Sequence, residues 1–595
     1  METIADTAPA PPDAGVHHLA DFRTSPRVLL ITAVAIVVGL AGLAAGVVLL
    51  RLIGIVTNMA YFGRVATAMP DLGRSPLGVL AVFVPILGAL IVGLMARYGS
   101  DRIRGHGIPE ALEAILLGRS RLSFKVAILK PLSSAISIGT GGPFGAEGPI
   151  IMTGGAIGSL LAQLLPVTDT ERKTLLVAGA AAGMTAVFGT PIAAILLAVE
   201  LLLFEWSPGS FIPVAAAAIT AEVGRHALGM PGPLFPFRGG MPLSIAAVML
   251  WCLVGLAAGL LSGLLTRLVY ACEDVFQKLP IHWMWWPMLG GAAVGIGGLI
   301  DPRALGVGYP EIGLLLRGGI PPASALLLLA VKGLIWSMAL GSGTSGGVLA
   351  PLLIIGGALG AVAAPLLAVA SPGFWPLLAM CATMGGTMRS PLTATFFAVE
   401  LTGNTHVLLP LLVACATAHL VTVLLMRRSI LTEKVARRGH HLEREYRVDP
   451  FTITKVADIM VTEVETLSAT MTLYQAAAHL TDPATRHPSF PVLDEAGRPL
   501  GIVDPPRVLA WRRAGEHRHT PLLRLLARHR LRVAYPDEYA GELAERMMRL
   551  NTAHLPVVAR ADGRLVGYVS WRDLMKVRVR ERDQDEARMV FYRVR

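Results

Sequence analysis

Pro191-Ile-Ala-Ala-Ile-Leu-Leu-Ala-Val-Glu200 and Pro391-Leu-Thr-Ala-Thr-Phe-Phe-Ala-Val-Glu400 are two versions of one decapeptide, 200 residues apart. Upstream of each lies a second matched pair. Gly141-Gly-Pro-Phe-Gly-Ala-Glu-Gly-Pro149 resembles Gly343-Thr-Ser-Gly-Gly-Val-Leu-Ala-Pro351, and the closing prolines are 202 residues apart. Two features repeated at nearly one offset define an internal duplication, with halves at about residues 28–230 and 244–430.

Composition places this duplication in a bilayer. Only 16% of the 595 residues are charged, against about 25% in an ordinary soluble protein, and the mean hydropathy is +0.60. The deficit lies between residues 27 and 426. Beyond Arg427 the chain is charged and ordinary. The stretches 28–50, 77–95, 245–265 and 408–425 are long enough to cross roughly 30 Å of hydrocarbon as helices. Others, such as 160–165 and 323–332, are expected to be too short and to stop within the bilayer. Such broken backbone persists only where protein or a water-filled cavity covers it. The first 26 residues carry Glu2, Asp6, Asp13 and Asp21 and lack a basic start joined to an apolar core. They are expected to be a cytoplasmic lead, with an amphipathic helix around 16–22. The net charge of +11 comes mostly from residues flanking apolar segments or in the tail. This fits the positive-inside rule rather than a nucleic-acid partner. Arg427, Arg428, Arg437 and Arg438 follow the last apolar segment and put that end in the cytoplasm. The four cysteines, Cys252, Cys272, Cys381 and Cys415, have no CxxC spacing, so neither a disulfide framework nor a metal site is expected.

Duplicated membrane proteins place their sites near the midplane, where broken helices of both halves meet. The glycine-rich loops Gly105-His-Gly-Ile-Pro109, Gly145-Ala-Glu-Gly-Pro149 and Gly346-Gly-Val-Leu-Ala-Pro351 each lead through Pro into an apolar run. Pro suits a first helical turn, and a helix N-terminus offers unpaired N–H donors with about half a positive charge. Several such termini can replace an anion's hydration without burying a full positive charge. The plainer reading, that these glycines only let helices pack closely, explains each loop singly but not three loops within one repeat. Glu147 lies inside one loop, and a carboxylate at membrane depth is a functional candidate. Ionised, it competes with an anion for the same N–H groups; protonated, it releases them. It is therefore read as a gate. Its alternative is a plain helix N-cap or first-turn carboxylate. Glu200 and Glu400 end apolar helices and are read as marking an interface or hydrogen-bonding nearby loops.

These loops resemble the signatures of the CLC family of chloride channels and anion/proton exchangers. Gly105-His-Gly-Ile-Pro-Glu110 is similar to its first, usually G-S-G-I-P-E. Gly145-Ala-Glu-Gly-Pro149 is similar to its second, and Gly346-Gly-Val-Leu-Ala-Pro351 to its third. The resemblance covers about residues 27–440. It implies a homodimer in which each subunit has its own anion route, built as a multi-pass α-helical membrane protein with inverted halves and about 18 helices of uneven length. It makes Glu147 the gating residue. It also assigns the anion contacts to His106, Gly107, Ile108, Gly148, Ile150, Val348, Leu349 and Leu431. Several positions depart from the family pattern. His106 replaces a serine that coordinates the central anion, and Leu349 replaces a phenylalanine. Leu431 stands where a tyrosine supplies the second hydroxyl. Leu201 stands where many exchangers carry an internal proton-transfer glutamate. A neutral His offers one N–H donor and His⁺ two, so anion binding through His106 would strengthen below about pH 6.5. The alternative is that only the His106 backbone serves.

From about residue 451 the pattern alternates short strands and amphipathic helices. Segments 451–512 and 522–578 resemble a pair of CBS domains, an α/β module, with a charged tail at 579–595. Gly567-Tyr-Val-Ser-Trp-Arg-Asp573 is similar to the adenine-nucleotide pattern of that family, whereas Gly501-Ile-Val-Asp-Pro-Pro-Arg507 is not. At most one nucleotide site per chain is expected, through Ser570 and Asp573, beside the alternative of a purely structural module. The expectation is a plasma-membrane anion channel for chloride, with both termini and the CBS pair cytoplasmic. It has no cofactor beyond a regulatory adenine nucleotide, no metal and no enzymatic activity. Its rivals are a proton-coupled exchanger and, from another class, a membrane-anchored nucleotide sensor. An intramembrane enzyme lacks a nucleophile or metal cluster beside Glu147 and His106.

Overall fold

In a computed structural model the described residues are 26–439 except 117, 231 and 368–369, followed by 451, 454–482, 487, 489–526 and 531–579. The lead segment, where a helix is expected at 16–22, and the tail beyond 579 lie outside them. The chain forms two compact units that divide after Glu445.

The first unit is helical, and the duplication is visible element by element. The first half contains α1 (Arg27–Phe62), α2 (Phe83–Tyr98), α3 (Ile108–Leu116), α4 (Phe124–Gly139), α5 (Glu147–Gln163), α6 (Asp169–Phe188), α7 (Pro191–Leu197) and α8 (Pro208–Ala227). The second contains α9 (Ile245–Gln277), α10 (Trp286–Ile300), α11 (Tyr309–Leu316), α12 (Pro322–Gly341), α13 (Leu349–Ala363), α14 (Phe374–Met388), α15 (Pro391–Thr402) and α16 (Leu408–Leu425). A final helix, α17 (Ile430–Arg437), follows. Within the first half α5 packs on α6, and α1 on α6 and α8; within the second α13 packs on α14, and α9 on α14 and α16. Across the halves α2 packs on α10, α5 on α13 and α7 on α15. An element that touches its own mate lies on a two-fold axis, so the halves are related by a pseudo-dyad. Seven described helical segments are long and apolar enough to cross a membrane. Leu256, Leu260 and Leu264 form an exposed stripe on α9 at four-residue spacing, suited to lipid contact.

Two sequence expectations are corrected. Segment 323–332 is not a half-length piece: it belongs to α12, which has 20 residues. The hydropathy run stops at Lys332, but the helix does not. The buried ammonium of Lys332 donates to the carbonyls of Ala304 at 3.1 Å and Gly306 at 3.2 Å. Segment 160–165 begins as the last turn of α5.

Glu200 and Glu400 knit the halves together. The Glu200 carboxylate accepts from the Thr393 N–H at 2.8 Å, the Leu392 N–H at 3.2 Å and the Thr393 hydroxyl at 2.6 Å. Reciprocally, Glu400 accepts from the N–H groups of Ile192 at 2.9 Å and Ala193 at 2.8 Å. Each acid thus caps the first turn of the other half's helix, where donors are unpaired and a negative charge is favoured. Hydrogen bonds to charged groups contribute about 1.5–3 kcal/mol. Glu200→Ala and Glu400→Ala are therefore each expected to lower the thermal midpoint of the detergent-solubilised protein, and by similar amounts. An unchanged midpoint in either variant would contradict the reciprocal cap.

The second unit has two α/β lobes. β1 (Leu467–Ser468) pairs parallel with β2 (Phe490–Leu493), which pairs antiparallel with β3 (Pro499–Val503); β4 (His554–Val558) and β5 (Leu565–Ser570) form an antiparallel pair. The two cores exchange segments along the chain. Leu522, Leu525 and Leu526 pack in the first core with Leu467 and Phe490. Phe451 and Val456 pack in the second with Leu543 and Leu555.

Candidate functional site

Three loops from the two halves meet as one backbone mesh. The Gly105 N–H donates to the Thr344 carbonyl at 3.2 Å, and Gly346 N–H to the Gly105 carbonyl at 3.4 Å. Gly145 and Gly347 exchange both hydrogen bonds, at 3.2 and 2.8 Å, in an antiparallel bridge. The first and second loops approach backbone to backbone: a Cβ on Gly148 would stand 1.8 Å from the His106 carbonyl oxygen. No side chain fits there, so the glycines are required by contact.

Glu147 is the first residue of α5 and fully buried. Its carboxylate crosses to the other half. Oε1 accepts from the N–H groups of Leu349 and Ala350, the latter at 3.1 Å. Oε2 has no partner among the described residues. A Cβ on Gly347 would lie 2.7 Å from Oε1. The carboxylate therefore occupies the N-terminal turn of α13, the position that the partial positive charge of a helix end offers to an anion.

The other expected contacts separate. Val348 is the N-cap of α13, and Gly148 is the second residue of α5; both are buried. Ile108 opens α3. The Ile150 N–H bonds to the Ala146 carbonyl at 3.0 Å. The Gly107 N–H bonds to Glu110 Oε2 at 2.9 Å. Glu110 reaches back over the start of α3 as an acid does in a capping box, and Lys434 on α17 donates to its Oε1 at 2.6 Å. His106 is 2% exposed, and its Nδ1 has no partner among the described residues. It lines a cavity of about 380 Å³ with Arg104, Tyr270, Ile430 and Lys434. Leu431 is buried in the first turn of α17. The Tyr270 hydroxyl, from α9, donates to the neighbouring Ile430 carbonyl at 2.5 Å.

Sequence reading missed the supports of these loops. Lys130 on α4 is fully buried and donates to the carbonyls of Ile103 at 2.8 Å and Gly105 at 2.7 Å. This is the arrangement that Lys332 makes in the second half. The repeat offset could have found it. Lys130 and Lys332 are 202 residues apart, and Gly105-His-Gly-Ile-Pro-Glu110 has a mate, Gly306-Val-Gly-Tyr-Pro-Glu311, at 201. Tyr270 and Lys434 carried no such signal.

In the second unit, Ser570 and Asp573 line a cavity of about 430 Å³ with His487, His554, Tyr568 and Lys576. The Ser570 hydroxyl donates to Asp573 Oδ2 at 2.6 Å, and Lys576 donates to Oδ1 at 2.8 Å. Burial pushes the Asp573 carboxyl up, but these bonds outweigh it and hold it below the ordinary carboxylate range. His554 stacks on Tyr568 at 5.6 Å and 8°. Burial holds its imidazole below the ordinary value, so it is neutral at pH 7. In the other lobe Asp504 caps its helix by accepting from the Arg507 N–H at 2.8 Å.

Comparison with known proteins follows the same division. Residues 87–423 match the family described as "Voltage gated chloride channel", and residues 456–512 and 525–580 match the CBS domain. A protein of Ralstonia nicotianae named a putative chloride channel protein ClcB-like is 29% identical over 60% of this chain and 85% of its own length. The H(+)/Cl(-) exchange transporter ClcA of Citrobacter koseri is 28% identical over 71% of this chain and 91% of its own. The crystal structure of a slow cyanobacterial Cl-/H+ antiporter is similar in fold, with a TM-score of 0.60 at 22% identity, covering 70% of this chain and 98% of that one.

Proposed function

This chain belongs to the voltage-gated chloride channel family, and from that premise we propose that its membrane unit exchanges chloride for protons, with Glu147 serving both ions. One observation carries the reading: the Glu147 carboxylate occupies the amides at the start of α13. An anion can bind there only when this carboxylate leaves. Protonation removes the charge that holds it, so uptake of a proton and entry of an anion are linked at one residue. The exchange named for the Citrobacter koseri relative supports coupling over the channel expected from sequence. The channel remains the second reading on a specific observation: Leu201 and Leu202 are fully buried in the π-helical stretch Ala198–Leu203 and offer no internal proton acceptor.

The experiment uses the full chain in proteoliposomes under a chloride gradient. Proton movement in fixed ratio to chloride supports exchange. Chloride flux without protons sinks exchange in favour of the channel, and absence of any anion flux leaves the nucleotide-sensor reading. The proposal includes a homodimer in the plasma membrane, with the α17 end and the CBS pair in the cytoplasm, as the arginines at 427, 428, 437 and 438 favour. His106 takes the place of the missing hydroxyl as an anion contact.

For the second unit the proposed ligand is an adenine nucleotide in the cavity at Ser570 and Asp573. The neutral His554 and Tyr568 rings offer apolar faces for a base, and Asp573 offers an ionised acceptor for ribose hydroxyls. Asp573→Asn is expected to weaken ATP or AMP binding by about tenfold, the value of one charge-assisted hydrogen bond. Calorimetry on the intact protein checks it, and equal affinity in the variant would leave Ser570 and Asp573 as a helix cap only.

A further inference from the structure

We propose that Arg104 forms a recruiting site for planar oxyanions, of the nitrate and carboxylate class, beside His106 at the mouth of the anion route. The proposal rests on the anion-transport reading and adds a substrate class to it. Arg104 immediately precedes the Gly105 loop. Its guanidinium lies over the Trp283 ring at 4.5 Å and near Trp286 at 5.9 Å. The guanidinium makes no hydrogen bond or ion pair among the described residues, and its Nε is buried without a partner.

The cavity's other lysine and arginines are committed. Lys434 pairs with Glu110 at 2.6 Å, Arg437 with Glu433 at 3.2 Å and with Asp274, and Arg438 with Glu113. The lining acids Asp101 and Glu273 form no ion pair with Arg104. It is therefore the one cavity-lining Lys or Arg, among the described residues, without an ion pair, and Glu273 and Asp101 act on it only through space. The seat is built from both halves. Gly343, in the third loop, adopts φ +83°, and a Cβ there would lie 2.7 Å from the Arg104 Nη2. The indole covers one guanidinium face and Nε is buried, so the N–H edge for a ligand is the one between Nη1 and Nη2.

That edge selects chemistry. A guanidinium presents parallel N–H groups in a rigid fork, which two oxygens of a planar anion satisfy together. A spherical halide satisfies the fork at a single point. The cavity of about 380 Å³ admits a polyatomic anion, and His106, whose Nδ1 is buried without a partner among the described residues, is one of its lining residues.

Two measurements on the full chain test the proposal: the nitrate-to-chloride flux ratio in proteoliposomes, and nitrate against chloride binding by calorimetry in detergent. Arg104→Gln is expected to lower both ratios about tenfold. Arg104→Lys keeps the charge and the folded loop but removes the fork. It is expected to lose the nitrate preference while keeping more of the chloride flux than Arg104→Gln. Unchanged ratios in both variants would overturn the proposal, as would an Arg104→Lys protein that keeps the wild-type ratio. Because calorimetry does not need transport, Arg104-dependent nitrate binding without flux would support this site and count against the transport reading alone.

Discussion

In proteoliposomes, Glu147→Gln is expected to cut chloride-driven proton movement by at least about tenfold while anion flux persists and loses its dependence on pH. The carboxamide has the shape of the acid but neither charge nor proton to exchange. In the native protein the carboxylate accepts from the Leu349 and Ala350 N–H groups, and each such charge-assisted bond is worth about 1.5–3 kcal/mol. The neutral side chain holds those donors weakly, so an anion displaces it without protonation. Glu147→Ala goes further and leaves the amides open, so basal anion flux is expected to rise above wild type. Parallel flux measurements at two pH values decide it. A full pH response in both variants would remove Glu147 from the gate.

The second large effect is structural. Gly148→Ala is expected to abolish anion flux or prevent recovery of folded protein. The added Cβ would stand 1.8 Å from the His106 carbonyl oxygen and 3.1 Å from the Gly347 Cα. Overpacking among side chains costs about 1–3 kcal/mol because rotamers adjust. Here the obstacle is backbone from two other loops, and these are tied to each other by the Gly105, Gly145, Gly346 and Gly347 hydrogen bonds. The mesh must open for the methyl to fit. Gly313→Ala on α11 is the control, since beyond its chain neighbours and its own helix backbone no heavy atom lies within 4 Å of its Cβ position. Helix propensity there favours alanine by about 1 kcal/mol. Thermal midpoints in detergent compare the two, and equal tolerance would mean that the loops do not meet at backbone distance.

The positional match of the halves was legible because duplication leaves the same residue types at one offset, and Pro191 to Glu200 against Pro391 to Glu400 suffices to find it. The three glycine-rich loops were legible because helix starts at membrane depth need Gly and Pro for reasons local to the backbone. The channel expected from Leu201 and Leu431 read two missing side chains, and these say nothing of what else moves a proton. The length of α12 was misread because a hydropathy count treats Lys332 as exposed to lipid, whereas two carbonyls of another loop receive it.

By itself the sequence determined the membrane class, the two halves, the three loops and the acid among them, since these follow from composition, periodicity and repeat distance along one chain. Only the tertiary structure decided which donors meet each acid: Glu147 takes the amides of α13, Glu200 and Glu400 each other's helices, and Glu110 the Gly107 N–H. The reason is physical. A helix start or a glycine turn is a property of neighbouring residues, but a buried charge is settled by whichever donor or acceptor the fold brings within hydrogen-bond distance, and those partners lie up to 324 positions away, as between Glu110 and Lys434.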